Sequence, residues 1–351
     1  MRYKYVKHLT PELDKIDITV RDSAYINIAL PQIDINRKLI NELIRKYPGV
    51  KNIIENCELT KFDTVLSNNI QNCPAHLVND KITRFNDMKN AFLKSREYSM
   101  KYDLQSETIC VLHSMLYNND PEISQVSKLA MGRYRNSSDS PIIANYIADI
   151  VQPRDILHKM NDSFYKYKND WDHHPILSSS IMHTEIVRIQ PFLDGNKKAG
   201  QIAQNFCLTM CGYPDMVLPD SKLDKYQSAI KIGILNRDAT PLAEFACANI
   251  LEDQTNQLGS IKNYLMEQGL SDPVVIAQID KSNSIIDSQP THTILTETES
   301  MDEEERSSTL SVLTRQLSEL IEKGSNSGGS LKDEIPTELL DIEYNSNEID
   351  T

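Results

Sequence analysis

At 351 residues with 40% apolar content, the chain can bury one large core or two ordinary ones, and with 25% charged residues a globular, soluble protein is expected. No run of about 18 apolar residues is present, which argues against a membrane span, and the start Met1-Arg2-Tyr3-Lys4-Tyr5-Val6-Lys7-His8 lacks the apolar stretch of a signal peptide, so a cytoplasmic protein is expected. The net charge of −13 is concentrated at one end: residues 286–351 hold 16 acidic and 4 basic side chains and carry −12 of it. The rest is nearly neutral and lacks the basic footprint of a nucleic-acid-binding surface.

In chain order, apolar residues return at three- and four-residue spacings with few strand-like alternations, so the expected fold class is mostly α. Asp34, with Asn36 as a second candidate, reads as the N-cap of a helix that carries Leu39, Ile40, Leu43 and Ile44 on one face and ends near Pro48-Gly49. Further helices are expected over about 50–57, 87–99, 105–117, 153–170, 175–189, 197–211 and 221–235. Between the helices at 105–117 and 153–170, the stretch 135–151, with Ile142, Ile143, Tyr146 and Ile147, is the best candidate for a short β-hairpin. Beyond Ile286 the composition turns to Ser, Thr, Asp, Glu and Asn, which predicts an acidic, largely disordered tail. Within it Leu310, Leu313, Leu317 and Leu320 would form one apolar stripe, on a helix that either binds a partner or docks on its own body.

Six cysteines, Cys57, Cys73, Cys110, Cys207, Cys211 and Cys247, contain no Cys-x-x-Cys pair and read as reduced thiols. Cys207 and Cys211 would share a helix face, but no second pair completes a metal site, so core packing is the expected role. His173-His174 reads as the packed start of a helix.

The informative stretch is Gln190-Pro191-Phe192-Leu193-Asp194-Gly195-Asn196-Lys197-Lys198, a turn that opens a helix. Such a turn presents unpaired backbone N–H groups and the positive end of the helix dipole, a natural seat for a phosphate. Gly195 permits close backbone approach, Asp194 suits a magnesium ion that arrives with a nucleotide, and Lys197 and Lys198 add positive charge.

This loop resembles the Fic family motif His-Pro-Phe-x-Asp/Glu-Gly-Asn-Gly-Arg-x-x-Arg. The resemblance extends to Gly132-Arg133-Tyr134-Arg135, His174-Pro175 and His183, and covers about 105–249. It implies a Fic-type helical core at 101–253 with a β-hairpin flap at about 136–151 that includes Ile142 and Ile143. An N-terminal helical region at 1–100, a helical extension at 254–285 and the tail at 286–351 would flank that core. It also implies Mg2+ with ATP or another nucleotide, transfer of AMP to a hydroxyl of an unknown target protein aligned by the flap, metal binding by Asp194, and nucleotide binding by Gly195, Asn196, Lys197, Lys198 and Gln201. Lys51-Asn52-Ile53-Ile54-Glu55-Asn56 resembles the family's inhibitory helix at Glu55 and Asn56, with Lys51 at its Ser/Thr position. Glutamate-rich C-termini resemble the secretion signals of some bacterial effectors delivered into host cells.

Three departures from the motif bear on chemistry. Gln190 stands at the position of the catalytic histidine, and an amide cannot take up a proton near neutral pH. General-base catalysis, worth typically about 10²–10⁴-fold, is therefore expected to be lost. Lys197-Lys198 replaces Gly-Arg, which keeps charge without the planar arginine fork and is closer to the Doc branch, and Gln201 stands where a second arginine clamps the terminal phosphate. The expected function is a Fic-fold nucleotide-binding protein with impaired catalysis; the alternative is an enzyme that transfers AMP or another phosphate-containing group through a different base.

Overall fold

The computed structural model describes residues 17–71, 73–119, 130–137, 151–169 and 173–287. Most of the expected hairpin, with Ile142 and Ile143, and the acidic tail with its leucine stripe lie outside the described residues. The described chain forms ten α-helices: α1 (Ala24–Lys46), α2 (Gly49–Gln71), α3 (Val78–Ser99), α4 (Ser106–Met115), α5 (Pro153–Asn169), α6 (Pro175–Ile189), α7 (Asn196–Met210), α8 (Leu223–Asn236), α9 (Thr240–Glu267) and α10 (Pro273–Asp287). A mostly helical fold is what the periodicity predicts. The extended pairing among the described residues is one isolated parallel bridge, Thr19 to Asp238.

Helix boundaries depart from the sequence reading in four places, one being α3, which starts at Val78 where a start near 87 is expected. The first helix starts ten residues before Asp34, capped by the Ser23 hydroxyl, which accepts from Ile26 N–H at 3.3 Å. Pro31 lies inside this helix, and an internal proline removes one backbone bond, which makes the early start hard to read from sequence. Asp34 instead accepts the Tyr213 hydroxyl at 2.7 Å. The helix expected at 50–57 runs on to Gln71, although it buries only Val50, Phe62 and Val65. Finally, α9 passes without interruption through the expected boundary at 253/254, so the core and the extension share one helix.

The α6 and α7 pair forms the centre. α7 packs on α3 and α4, while α6 packs on α5, α8 and α9. Nearly every α6 side chain is buried, from Ile176 to Ile189, the pattern of a helix surrounded on all sides. One apolar cluster joins Phe62, Phe92, Leu112, Met160, Phe192 and Phe206, and a second joins Ile33, Tyr226, Ile230, Phe245 and Ile250 on the other side of the pair.

Gly200 sets how closely α6 and α7 approach. A Cβ built there would lie 2.2 Å from Cδ2 of His183, whose ring is fully buried. In an exposed helix Gly→Ala stabilises by roughly 1 kcal/mol. Here the overlap reverses the sign, and Gly200→Ala is expected to destabilise by about 1–3 kcal/mol in urea unfolding, the range for overpacking. A stabilised variant would contradict this packing.

Candidate functional site

The α6–α7 turn is bracketed by two left-handed residues, Gln190 (φ 51°) and Gly195 (φ 75°). Glycine adopts this conformation freely, whereas a non-glycine residue costs on the order of 1–2 kcal/mol and needs support from its surroundings. Gln190 has that support. Its carbonyl accepts from Arg135 Nε at 2.6 Å, its side-chain Nε2 donates to Val187 O at 2.5 Å, and its Oε1 accepts from Asn196 Nδ2 at 2.9 Å. Arg135 also donates to the carbonyls of Val151 and, at 3.5 Å, Ile189, while its own N–H bonds Pro191 O at 2.8 Å. One buried guanidinium thus binds the carbonyl end of α6, where the helix dipole favours a cation.

Asn196 organises the turn from its far end. Its Oδ1 accepts from Phe192 N–H at 2.8 Å, and its Nδ2 donates to Phe192 O at 3.0 Å as well as to Gln190 Oε1. An asparagine amide has two donor hydrogens and one acceptor oxygen, so all three functions are engaged inside the loop. The residue expected to touch a nucleotide therefore shapes the loop through its side chain. What it offers a phosphate is its backbone N–H, at the first turn of α7.

Two residues that the motif does not mark complete the turn. His113 of α4 stacks flat on Phe192, with ring centroids 3.7 Å apart and an interplanar angle of 5°. Its Nδ1 accepts from Gly132 N–H at 3.1 Å, which makes Nε2–H the donor to Asp194 O at 2.9 Å and fixes a neutral tautomer. Tyr117 lies under Gly195, where a Cβ would come 2.4 Å from its hydroxyl, and Lys198 Nζ sits 5.1 Å from the centre of the Tyr117 ring. Only tertiary packing brings these two positions, some 80 residues upstream, to the loop.

Asp194 accepts Gly195 N–H through Oδ1 at 2.6 Å, which turns the chain into α7 and leaves Oδ2 able to meet a cation. Lys197 is half-buried; burial lowers its pKa and Asp194 opposes that shift. Gln201 is buried one turn further along α7. Glu55 and Asn56 lie on α2, where the exposed Glu55 carboxylate pairs with Lys51 at 3.8 Å. Among the described residues Glu55 has no hydrogen bond or ion pair with the loop, and Lys51, at the motif's Ser/Thr position, is its partner.

Neither nearby buried histidine is placed to act as a base. His183 donates from Nδ1 to Gln204 Oε1 at 2.7 Å and accepts the Tyr226 hydroxyl at Nε2, at 2.8 Å, with Gln204 oriented by its bond to Ser180 Oγ. Burial lowers the pKa of both His113 and His183 to about 4. His174 caps α6 with Nδ1 and meets the Tyr213 hydroxyl through Nε2 at 3.0 Å, a packing role.

The turn thus gathers a helix N-terminus, one carboxylate and two lysines, with a glutamine at its start. Residues 103–208 match the model of the Fic/DOC family. The protein adenylyltransferases Fic of Drosophila yakuba and Drosophila melanogaster are each 32% identical over 59 residues, 17% of this chain and 12% of theirs. The matched stretch thus spans about an eighth of those relatives. Among solved structures, Fic-1 (residues 134–508) from C. elegans is 18% identical at a TM-score of 0.47, covering 69% of this chain and 74% of that one. A Fic family protein from Desulfovibrio desulfuricans G20 is 17% identical at 0.48, covering 70% and 78%.

Two outcomes test this geometry. In unfolding double-mutant cycles Gln190→Ala and Asn196→Ala should be strongly non-additive, by about 0.5–2 kcal/mol, because each removes the same bond; additive effects would show that the amides do not meet. For His113 and His183, whose folded pKa lies below the unfolded value near 6.5, stability is full above pH 6.5. It falls as pH drops towards 4, by up to roughly 1.4 kcal/mol per pH unit per ring, because only the unfolded chain binds the protons. NMR titration should show both rings neutral above pH 5, and a ring titrating between pH 6 and 7 would contradict its burial.

Proposed function

We propose that the chain binds a magnesium–nucleotide through the α6–α7 loop and is impaired in the transfer of AMP to protein hydroxyls that the names of its relatives suggest. The observation that carries this reading is the state of Gln190. It occupies the base position with both ends of its amide hydrogen-bonded inside the protein, so it neither takes a proton nor faces a substrate.

The donor set fits the implied ligand. A magnesium ion on a nucleotide is commonly held by one or two carboxylates plus phosphate oxygens. Asp194 supplies one carboxylate, and among the described residues no cluster of three or more metal-ligating side chains exists to form a dedicated cage. When bound, the ion would neutralise phosphate charge. The chain's own contribution is positioning: the α7 N-terminus presents backbone N–H groups, Lys197 adds charge from the half-buried side, and Gly195 lets the loop settle on Tyr117, where a Cβ would clash. With Gln201 in place of a second arginine, a terminal phosphate has no planar fork to grip, so triphosphate and diphosphate should bind with similar affinity. No helix among the described residues is long and apolar enough to cross a membrane.

Calorimetry with Mg-ATP should give binding that Asp194→Ala weakens about tenfold, the equivalent of about 1.4 kcal/mol. With labelled ATP and a cell lysate, Gln190→His should gain transfer that the wild type lacks, by up to about 10²-fold. Transfer by the wild type that Asp194→Ala abolishes would overturn the impaired-enzyme reading, and failure to bind any nucleotide would overturn the site itself.

A further inference from the structure

A second site lies on another part of the molecule. α2 runs antiparallel to α9: Gly49 abuts the Tyr264 hydroxyl, and three turns later Lys61 pairs with Asp253. Between these helices and the connection at 214–222 opens a groove of about 770 Å³, within the roughly 300–1,000 Å³ typical of ligand clefts. No residue of 190–201 lines it, so it is separate from the phosphate loop.

Its walls are polar and regular. α2 presents Asn56, Thr60, Thr64 and Asn68 at four-residue spacing, after Ile53, which makes one face about 22 Å long at about 1.5 Å per residue. Asn249, Asn256, Gln257, Ser260 and Asn263 face them from α9. Gln257 is 6% exposed and makes no side-chain hydrogen bond among the described residues, although it lines the groove. Its amide therefore opens to the groove and is available to a ligand there.

The chemistry narrows the ligand. The cations of the groove are already matched within it, Lys61 to Asp253, Arg96 to Glu58 and Asp215, and Lys222 to Glu252, so no surplus positive charge awaits a phosphate. Five acidic and three basic lining residues give a slight negative balance, which favours a neutral or basic ligand. Tyr264, the aromatic side chain nearest the groove's α9 end, is packed on Gly49 and is poorly placed to stack on a sugar or base. A row of side-chain amides, each with donors and an acceptor side by side, instead matches the peptide group. Six or seven extended residues at about 3.3 Å each span the same 22 Å.

We propose that this groove binds an extended segment of a partner polypeptide through its backbone, with Gln257, Asn256 and Asn263 as hydrogen-bonding residues. The site is independent of the loop, and neither reading depends on the other.

The test uses the full chain and a library of N-acetylated, C-amidated octapeptides, with the best binder then measured by calorimetry. Gln257→Leu and Asn263→Leu should each weaken it about tenfold. Methylation of one central backbone nitrogen of that peptide should abolish binding, while alanine at the same position changes it by less than about threefold. Asn263 is exposed, so its variant keeps the test open if Gln257→Leu fails to fold. Absence of any binder, wild-type affinity in both leucine variants, tolerance of N-methylation, or displacement by maltohexaose or ATP would each overturn the proposal.

Discussion

The close crossing of α6 and α7 is the constraint on which the rest of the described fold depends. It exists because Gly200 leaves room for the fully buried His183 ring, which burial keeps neutral and which Gln204 and Tyr226 orient. That crossing puts the carbonyl end of one helix and the N–H end of the next within a single short turn. The two ends make opposite demands: Arg135 supplies the cation that the α6 end favours, and the α7 end is left to attract an anion. Packing and electrostatics therefore have one origin.

Within the turn, holding a ligand and reacting with it fall to different groups. On the proposed reading, backbone N–H groups, Asp194 and Lys197 would hold the anion, whereas Gln190, Asn196, Phe192 and His113 are engaged with one another or with the loop backbone. A histidine at position 190 would bring a protonatable nitrogen to this place. A glutamine brings one donor and one acceptor, both used to brace a left-handed backbone. On the proposed reading, glutamine at 190 serves as a structural brace where a histidine would serve as a proton acceptor.

Much of this was legible in sequence. Apolar spacing gave the helical class, and the turn at 190–198 that opens a helix was readable because a Gly-Asn step before a helix has a local cause. The inner role of Asn196 was not legible, since a motif does not say whether a polar side chain faces inward or outward. His113 and Tyr117 were missed because their contribution is a stack and a steric floor, which leave no local signature. The early start of α1 was hidden by Pro31, and the length of α2 by its scarcity of buried residues, since it is held by ion pairs such as Lys61 to Asp253 and by Phe62 and Val65.

The proposed function requires that the α7 N-terminus bind an anion while Gln190 stays engaged within the loop. Backbone amide NMR during titration with magnesium pyrophosphate tests it most directly, because that probe carries phosphate and no base or sugar. The account predicts saturable shifts centred on Asp194 to Lys198, with the Asn196 side-chain amide unmoved. Shifts concentrated elsewhere, or none at all, would contradict it.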